Sequence, residues 1–390
     1  MKKLIRITTV PISLDILLGD QLSYMNQFYE VTAVSADKKE LERIAEKYGI
    51  KNHAIEMTRT ISPLKDIAAA WNLYRFLRRE KPFIVHSHTP KAGIVGMMAA
   101  WFARVPHRFH TVAGLPLMES EGSKRSLLNV IEKLTYRLAT KVYPNSFELQ
   151  KIILQENFCP PEKLKVIGSG SSNGINTAYF NPDQISKENV LNLKKQLNIT
   201  ENDFVYIFVG RLVKDKGINE LVSAFKEISA ESKVDINGAE LKPKLLLVGP
   251  LEQHLNPLKP ETLEEIRTNT AIISVGFQEE VRPYFALSNA LVFPSYREGF
   301  PNVVLQSLAM KLPAIVSDIN GCNEIITSFK NGLLIPAKDP HSLKIAMEEV
   351  LNDELFYQKL KSNTTESIAP YQQQAVWEAL LAEYRNASGA

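Results

Sequence analysis

The residues best suited to chemistry lie in one continuous stretch, Ser295-Tyr296-Arg297-Glu298-Gly299-Phe300-Pro301-Asn302-Val303-Val304-Leu305-Gln306. It follows a strand-like run ending at Pro294 and reads as a loop that opens a helix. The first-turn amides of such a helix have no intrahelical acceptor and carry a partial positive charge. Gly299 lets a ligand approach the backbone, and Pro301 stands where its missing N–H costs nothing. A diphosphate can be held at Phe300–Val303 in this way without a metal ion. Upstream, Arg211 and Lys216 lie in Gly210-Arg211-Leu212 and Lys216-Gly217, with Asp215 four residues after Arg211. Taken alone they read as surface cations, and Glu298 as a carboxylate beside a helix start. His86 and His88 alternate along another apolar run, which invites a metal reading. No Cys or carboxylate at ligand spacing accompanies them, so no metal site is expected, and His86 reads as a structural histidine.

As a set, these segments resemble the retaining glycosyltransferases of family four, which have the GT-B fold. The loop at Glu298 sits where that family has Glu, seven residues and a second Glu. Phe208-Val209-Gly210-Arg211-Leu212 with Lys216-Gly217, Val275-Gly276-Phe277, Asp318 with Gly321, and Asn323-Glu324-Ile325-Ile326 follow in the family's order. The resemblance implies that Arg211 and Lys216 neutralise the diphosphate of a nucleotide-sugar donor and that Glu298 accepts hydrogen bonds from the donor sugar. It also implies donor contacts from Gly210, Phe277, Gly299, Phe300, Pro301, Asn302, Val303 and Gln306. Gln306 is a departure, because the family's second Glu accepts from the ribose hydroxyls there. Gln keeps one acceptor but exchanges the other for a donor and loses the charge. In the first half, His110-Thr111-Val112-Ala113-Gly114 matches the family's histidine before a glycine-containing loop, so His110 is expected to stabilise the sugar or the leaving phosphate. His88, Lys91, Gly114 and the loop to Glu119 are expected to shape the acceptor pocket. His88-Thr-Pro-Lys-Ala and His110-Thr-Val-Ala-Gly-Leu-Pro look like the bacterial branch that extends undecaprenyl-diphosphate-linked sugars. The loop Thr8-Thr9-Val10-Pro11-Ile12-Ser13 departs from the paired glycines common in the family.

The chain has 390 residues, too many for one ordinary core, so two domains are expected. With 45% hydrophobic and 23% charged residues it has the balance of a soluble globular protein. Cys159 and Cys322, far apart, make neither a disulfide framework nor a zinc site, and a reducing cytoplasm is the simple expectation. The longest uncharged apolar run, Ala92 to Ala103, is well short of the ~20 residues that cross a bilayer, and the N-terminus lacks the pattern of a secretory signal. Residues 1–180 carry 25 Lys and Arg against 16 Asp and Glu, while the rest carries 21 against 27. A basic half beside an acidic half points to one anionic partner or to solvated helix faces. No aromatic-basic motif accompanies the charge, so nucleic acid is not expected.

Both halves alternate β-branched runs with helical stretches, the sign of parallel doubly wound sheets. Strands are expected at Leu4–Val10, Tyr29–Ser35, Ile84–His88, Arg108–Val112 and Lys141–Pro144. The second half is expected to carry them at Phe204–Gly210, Lys244–Gly249, Ala271–Gly276, Ala290–Pro294 and Ala314–Ser317. A helix from Ser62-Pro63 towards Lys81 carries Leu64, Ile67, Ala68, Trp71 and Tyr74 on one face. Another places Leu127, Val130, Ile131, Leu134 and Leu138 opposite Lys124, Arg125, Lys133 and Arg137. The pattern gives an α/β fold class, and the resemblance implies that it is GT-B, with an acceptor domain over 1–180, a linker over 181–201 and a donor domain over 202–369. The resemblance implies that a helix over 370–390 packs back on the first domain, and Ser229–Leu241 reads as an exposed loop.

Two decoys fall away. Gly168-Ser-Gly170-Ser-Ser-Asn173-Gly174 has its third glycine out of register for a dinucleotide fingerprint and leads into an irregular segment. No two aspartates stand two apart, as they do in transferases that hold a metal with such a pair. The activity that the resemblance implies is retaining, metal-independent sugar transfer, with no cofactor, from a UDP-sugar to a lipid-linked glycan. Lys124, Arg125, Lys133 and Arg137 are expected to face either an anionic membrane or a diphosphate-linked acceptor. A nucleotide-sugar 2-epimerase and a catalytically silent nucleotide-sugar-binding subunit are the competing readings.

Overall fold

The computed structural model describes residues 1–390 apart from 59–61, 116, 118–120, 231–232, 235–239, 255, 388 and 390. The chain divides into two compact units, Met1–Gly174 with Gln373–Ala390, and Ile175–Gln372. In the first unit, β1 (Lys3–Ile7), β2 (Glu30–Ser35), β3 (Lys51–Ala54), β4 (Ile84–Ser87), β5 (His107–Val112) and β6 (Lys141–Pro144) form a parallel sheet in the order β3-β2-β1-β4-β5-β6. Its register sets Arg6 opposite His86 and Ser87 opposite His110. The strands are short and largely apolar on both faces, as a sheet covered by helices on each side requires.

The second unit repeats the plan. There β7 (Asp203–Val209), β9 (Glu240–Val248), β10 (Ile272–Gly276), β11 (Ala290–Phe293), β12 (Ala314–Ser317) and β13 (Gly332–Ile335) run parallel in the order β10-β9-β7-β11-β12-β13, and β8 (Lys233–Val234) pairs antiparallel with β9. In both sheets the order reverses beside the first strand, between β1 and β4 and between β7 and β11. Open doubly wound sheets bind ligands outside the carboxyl ends of their strands at such a reversal.

Several expectations shift. The first strand stops at Ile7 because Pro11 sits at the start of a short helix, Ile12–Leu17. The edge strands β3 and β13 were not expected, and β3, Lys-Asn-His-Ala, has no apolar alternation to reveal it. The expected loop Ser229–Leu241 contributes β8 and the start of β9, with 231–232 and 235–239 outside the described residues. Residues 181–201, expected as a linker, contain the helix Lys187–Gln196, whose Val190 and Leu193 pack on the second core with the adjacent Leu197. The C-terminal helix, Gln373–Ala387, buries Leu380, Leu381 and Tyr384 in the core cluster of Leu4, Ile84 and Phe109 within the first unit.

Two helices face opposite to the simplest reading of their patterns. In Pro63–Glu80 the buried residues are Ala69, Leu73, Phe76 and Leu77, while Leu64, Ile67 and Trp71 are exposed. In Gly122–Leu138 the buried positions are Glu132, Thr135 and Tyr136, while Leu127, Val130 and Leu134 are exposed. The apolar stripes exist, but they are not the stripes that pack on the sheet.

Candidate active site

In the second unit, the loops after β7 and β11 meet at the sheet's reversal. Gly217 follows the turn Lys214–Lys216 with φ +71°, and a Cβ there would stand 2.0 Å from the carbonyl oxygen of Pro294. Only glycine allows that approach. The backbone of Tyr296 donates to the carbonyl of Asp215 at 2.9 Å, and Ser295 Oγ, fully buried, donates to the carbonyl of Arg297 at 3.1 Å. The two loops are thus stitched together through their backbones. The result is an ion pair between Lys216 Nζ and the Glu298 carboxylate, whose side chains are 19% and 15% exposed. Lys216 also stands 5.4 Å from the ring centre of Phe293. Arg211 is more open, 48% exposed, and pairs with Glu252 at 3.1 Å. Both cations therefore have acidic partners that sequence spacing did not reveal, because these come from loops after other strands.

The strand that follows braces the Glu298 loop. Asn320 Nδ2 donates to the carbonyls of Glu298 at 2.8 Å and Gly299 at 3.1 Å. Gly321, at φ +77°, comes so close that a Cβ would lie 2.4 Å from the Gly299 carbonyl oxygen. In a trans peptide the N–H points away from the C=O, so the amides of Gly299 and Phe300 face away from Asn320. The helix Asn302–Ala309 begins directly after, with Pro301 at its cap and no side chain capping its amides. Phe300 packs 5.4 Å from Tyr371, Asn302 and Val303 are half-buried in the first turn, and Gln306 is half-buried on the same helix. Glu298, Gly299, Phe300, Pro301, Asn302, Val303, Gln306 and Lys216 are thus brought together. Gly210, at φ +153°, stands at the end of β7, its carbonyl 1.9 Å from where a Cβ on Gly249 would lie. Phe277 is set apart: it is 68% exposed and lines a hollow of about 640 Å³ with Asn189, Gln196 and Tyr284.

The first unit holds a buried histidine array at the ends of β4 and β5. His110 Nδ1 lies 2.8 Å from Ser87 Oγ, and its ring presses on the helix Pro90–Phe102, where a Cβ on Gly93 would meet Cε1 at 2.6 Å. Burial holds the His110 imidazolium down to a pKa of about 4, against a hydrogen bond with Ser87 that raises it. His88 Nε2 accepts from Arg6 Nε at 2.9 Å. His86 Nδ1 meets Tyr384 OH at 2.5 Å, and its Nε2 meets Thr111 Oγ1 at 2.8 Å. Burial, and after it the charge of Arg6 for His86 and the neighbouring His86 for His88, push both pKa values well down. Lys91 pairs with Asp66 at 2.5 Å. Gly114, at φ +155°, stands two residues after β5, at the start of the connection to the helix Gly122–Leu138; of the loop to Glu119, residues 116 and 118–120 lie outside the described residues. Thr9 and Thr89 join the β1 and β4 loops, Oγ1 to Oγ1 at 2.7 Å. Arg6 was not singled out from the sequence: an arginine at the sixth residue of an N-terminal strand gives no sign of burial.

Residues 189–367 match the family "Glycosyl transferases group 1", and residues 22–170 match "Glycosyl transferase 4-like domain". The capsular polysaccharide biosynthesis glycosyltransferase CapM of Staphylococcus aureus is 30% identical over 384 residues, 98% of this chain and 97% of that one. The UDP-Gal:alpha-D-GlcNAc-diphosphoundecaprenol alpha-1,3-galactosyltransferase of Escherichia coli is 30% identical over 303 residues, 77% of this chain and 74% of the other. The crystal structure of Anabaena Alr3699/HepE in complex with UDP and glucose superposes with a TM-score of 0.80, at 17% identity over 99% of this chain and all of that one, a likeness of fold. The protein is a glycosyltransferase with the GT-B fold. It belongs to the group 1, family-four-like glycosyltransferases, in the branch of bacterial capsular and undecaprenyl-linked glycan enzymes.

Proposed function

We propose that this enzyme transfers a sugar from a UDP-sugar to a lipid-diphosphate-linked glycan in bacterial surface polysaccharide assembly, with retention and without a metal ion. The observation that carries the reading is the Lys216–Glu298 pair at the mouth of the uncapped helix Asn302–Ala309. A diphosphate laid on the amides at Phe300–Val303 would draw Lys216 towards its developing charge, with Arg211 as the second cation. The carboxylate of Glu298, released from Lys216, is then free to accept from sugar hydroxyls. In the first unit neutral His110 offers a hydrogen bond rather than a charge, and His88, Lys91 and Gly114 take the acceptor. Among the described side chains at these positions there is no evident covalent nucleophile, so the departing phosphate oxygen takes the acceptor proton in a front-face displacement. The E. coli relative's name supports the donor and acceptor class.

The enzyme works at an anionic membrane surface. Leu64, Ile67, Trp71, Trp101, Phe102, Leu127, Val130 and Leu134 are exposed on three helices that pack side by side. On those helices every exposed ionisable side chain is a cation: Lys65, Arg75, Arg78, Arg79, Lys124, Lys133 and Arg137. Apolar surface rimmed with cations fits an anionic headgroup layer. Among the described residues no helix is long and apolar enough to cross a membrane. Thermal stabilisation by a panel of nucleotide sugars, followed by transfer to lipid-linked acceptors, tests the chemistry. A chain that UDP does not stabilise, or that consumes donor without acceptor, contradicts the reading. Co-sedimentation with phosphatidylglycerol vesicles, weakened by salt, is the expected membrane result.

A further inference from the structure

Between the helices Pro63–Glu80 and Pro90–Phe102 runs an open apolar groove of about 390 Å³. Ile67, Trp71 and Tyr74 line it from one helix, and Met98, Ala99 and Phe102 from the other. Its rims are large apolar side chains left in solvent: Ile67 is 65% exposed, Trp71 57% and Phe102 60%. Trp71 and Tyr74 stack at 5.3 Å, so this wall is a preformed aromatic surface. An exposed apolar concavity of this kind marks a binding site for apolar matter.

We propose that this groove takes the hydrocarbon chain of a polyprenyl-diphosphate-linked acceptor, with the head group at the Lys91 end. This rests on the reading that the acceptor is lipid-linked. Both helices start at the carboxyl ends of their preceding strands, and their first turns are tied by Lys91 and Asp66 at 2.5 Å. His88 and Lys91, the candidate acceptor residues, stand at that end. From Lys91 to Met98 is two helical turns, about 10 Å at 1.5 Å per residue. A chain leaving a diphosphate at Lys91 therefore enters the groove within its first few isoprene units. Charge fits a lipid better than an acidic protein: the exposed ionisable groups on the two helices are all cations, with Lys65 at the head-group end and Arg75, Arg78 and Arg79 towards the far end of the groove.

Two measurements on the full chain test it. Binding of farnesyl diphosphate, read by quenching of tryptophan fluorescence and by calorimetry, is compared with inorganic diphosphate. The expected result is at least roughly tenfold tighter binding for the farnesyl compound, which burial of about two methylene groups already supplies. In an Ile67→Glu, Phe102→Glu variant, altered only at exposed positions, that advantage disappears while inorganic diphosphate binds unchanged. Equal affinities in the wild-type chain overturn the groove. So does a dimer that the double variant dissociates. Transfer of labelled sugar to butanol-extracted lipid-linked glycans reports the underlying reading. Transfer that the variant leaves intact in detergent overturns the groove alone, and no transfer by the wild type overturns both.

Discussion

Arg6 donates its Nε–H to Nε2 of His88 at 2.9 Å, with both side chains buried. Its other hydrogen bonds go to Tyr384 OH at 3.1 Å and Gln21 Oε1 at 2.6 Å, so its three partners are neutral. Because Nε2 of His88 accepts, the proton of neutral His88 sits on Nδ1. Tyr384, accepting from Arg6, also meets His86 Nδ1, and His86 Nε2 meets Thr111 Oγ1. One buried cation thereby sets the tautomer of His88 and reaches His86 through the Tyr384 hydroxyl. Replacing Arg6 by Met removes a costly buried charge but orphans three acceptors at roughly 1–3 kcal/mol each. The expected outcome is a net loss of stability in urea unfolding. In the wild type, histidine ¹⁵N shifts should show His88 as the Nδ1–H form, and an Nε2–H signal would contradict the arrangement.

The same array makes the fold acid-sensitive. An unfolded histidine titrates near 6.5, whereas burial holds His110 at about 4. Between those values the unfolded chain binds the proton and the native chain does not. Stability therefore falls as pH drops through that window, by about 3 kcal/mol for His110, and His86 and His88 act in the same direction. Urea midpoints measured from pH 7.5 to 4.5 should show this decline. In His110→Gln it should be shallower by about that amount, and an unaltered slope would remove His110 as its cause.

What the sequence made legible was whatever depends on short segments. The apolar runs located most strands to within a few residues, while Gly217 and Gly321 were legible only as parts of the family's pattern, and the close backbone approaches that demand glycine there come from the structure. The loop at Glu298 was readable because glycine, proline and a helix start follow in one stretch. Long-range pairing was not. Lys216 meets Glu298 and Arg211 meets Glu252 only because β7, β9 and β11 lie side by side, and Arg6 meets His88 only through sheet register. The outward apolar stripes of Pro63–Glu80 and Gly122–Leu138 misled for a physical reason: periodicity reports that a face is apolar, not what covers it.

Lys216 and Arg211 should separate stability from catalysis. Arg211 is half exposed, and an exposed pair such as Arg211–Glu252 contributes below about 1 kcal/mol, so Arg211→Ala should leave the thermal midpoint nearly unchanged. Lys216→Met leaves the Glu298 carboxylate mostly buried without its cation and should lower the midpoint as well. Both should lower kcat, with Lys216→Met the larger loss at about 10²-fold or more, since a fixed charge aimed at a leaving phosphate acts mainly in the transition state. Initial rates with saturating donor, set beside calorimetric unfolding, check both halves. Near-wild-type rates in both variants would take these cations out of the mechanism.

Gln306 offers the opposite kind of test, a gain. It is half-buried on the helix Asn302–Ala309, where the family pattern has a carboxylate. Gln presents one acceptor oxygen and one amide donor, so of two adjacent ribose hydroxyls only one can donate to it in the favoured geometry. In Gln306→Glu two oxygens accept, and the bonds become charge-assisted, roughly twice as strong as neutral ones. Against this stands repulsion from Glu298, which Lys216 offsets through its pair with that carboxylate. UDP should therefore bind several-fold tighter to Gln306→Glu in calorimetry, while a nucleotide analogue lacking both ribose hydroxyls should bind the two forms alike. Equal affinity for UDP would mean that Gln306 does not reach the ribose, and the nucleotide would then lie differently along the helix from the placement proposed at Phe300–Val303.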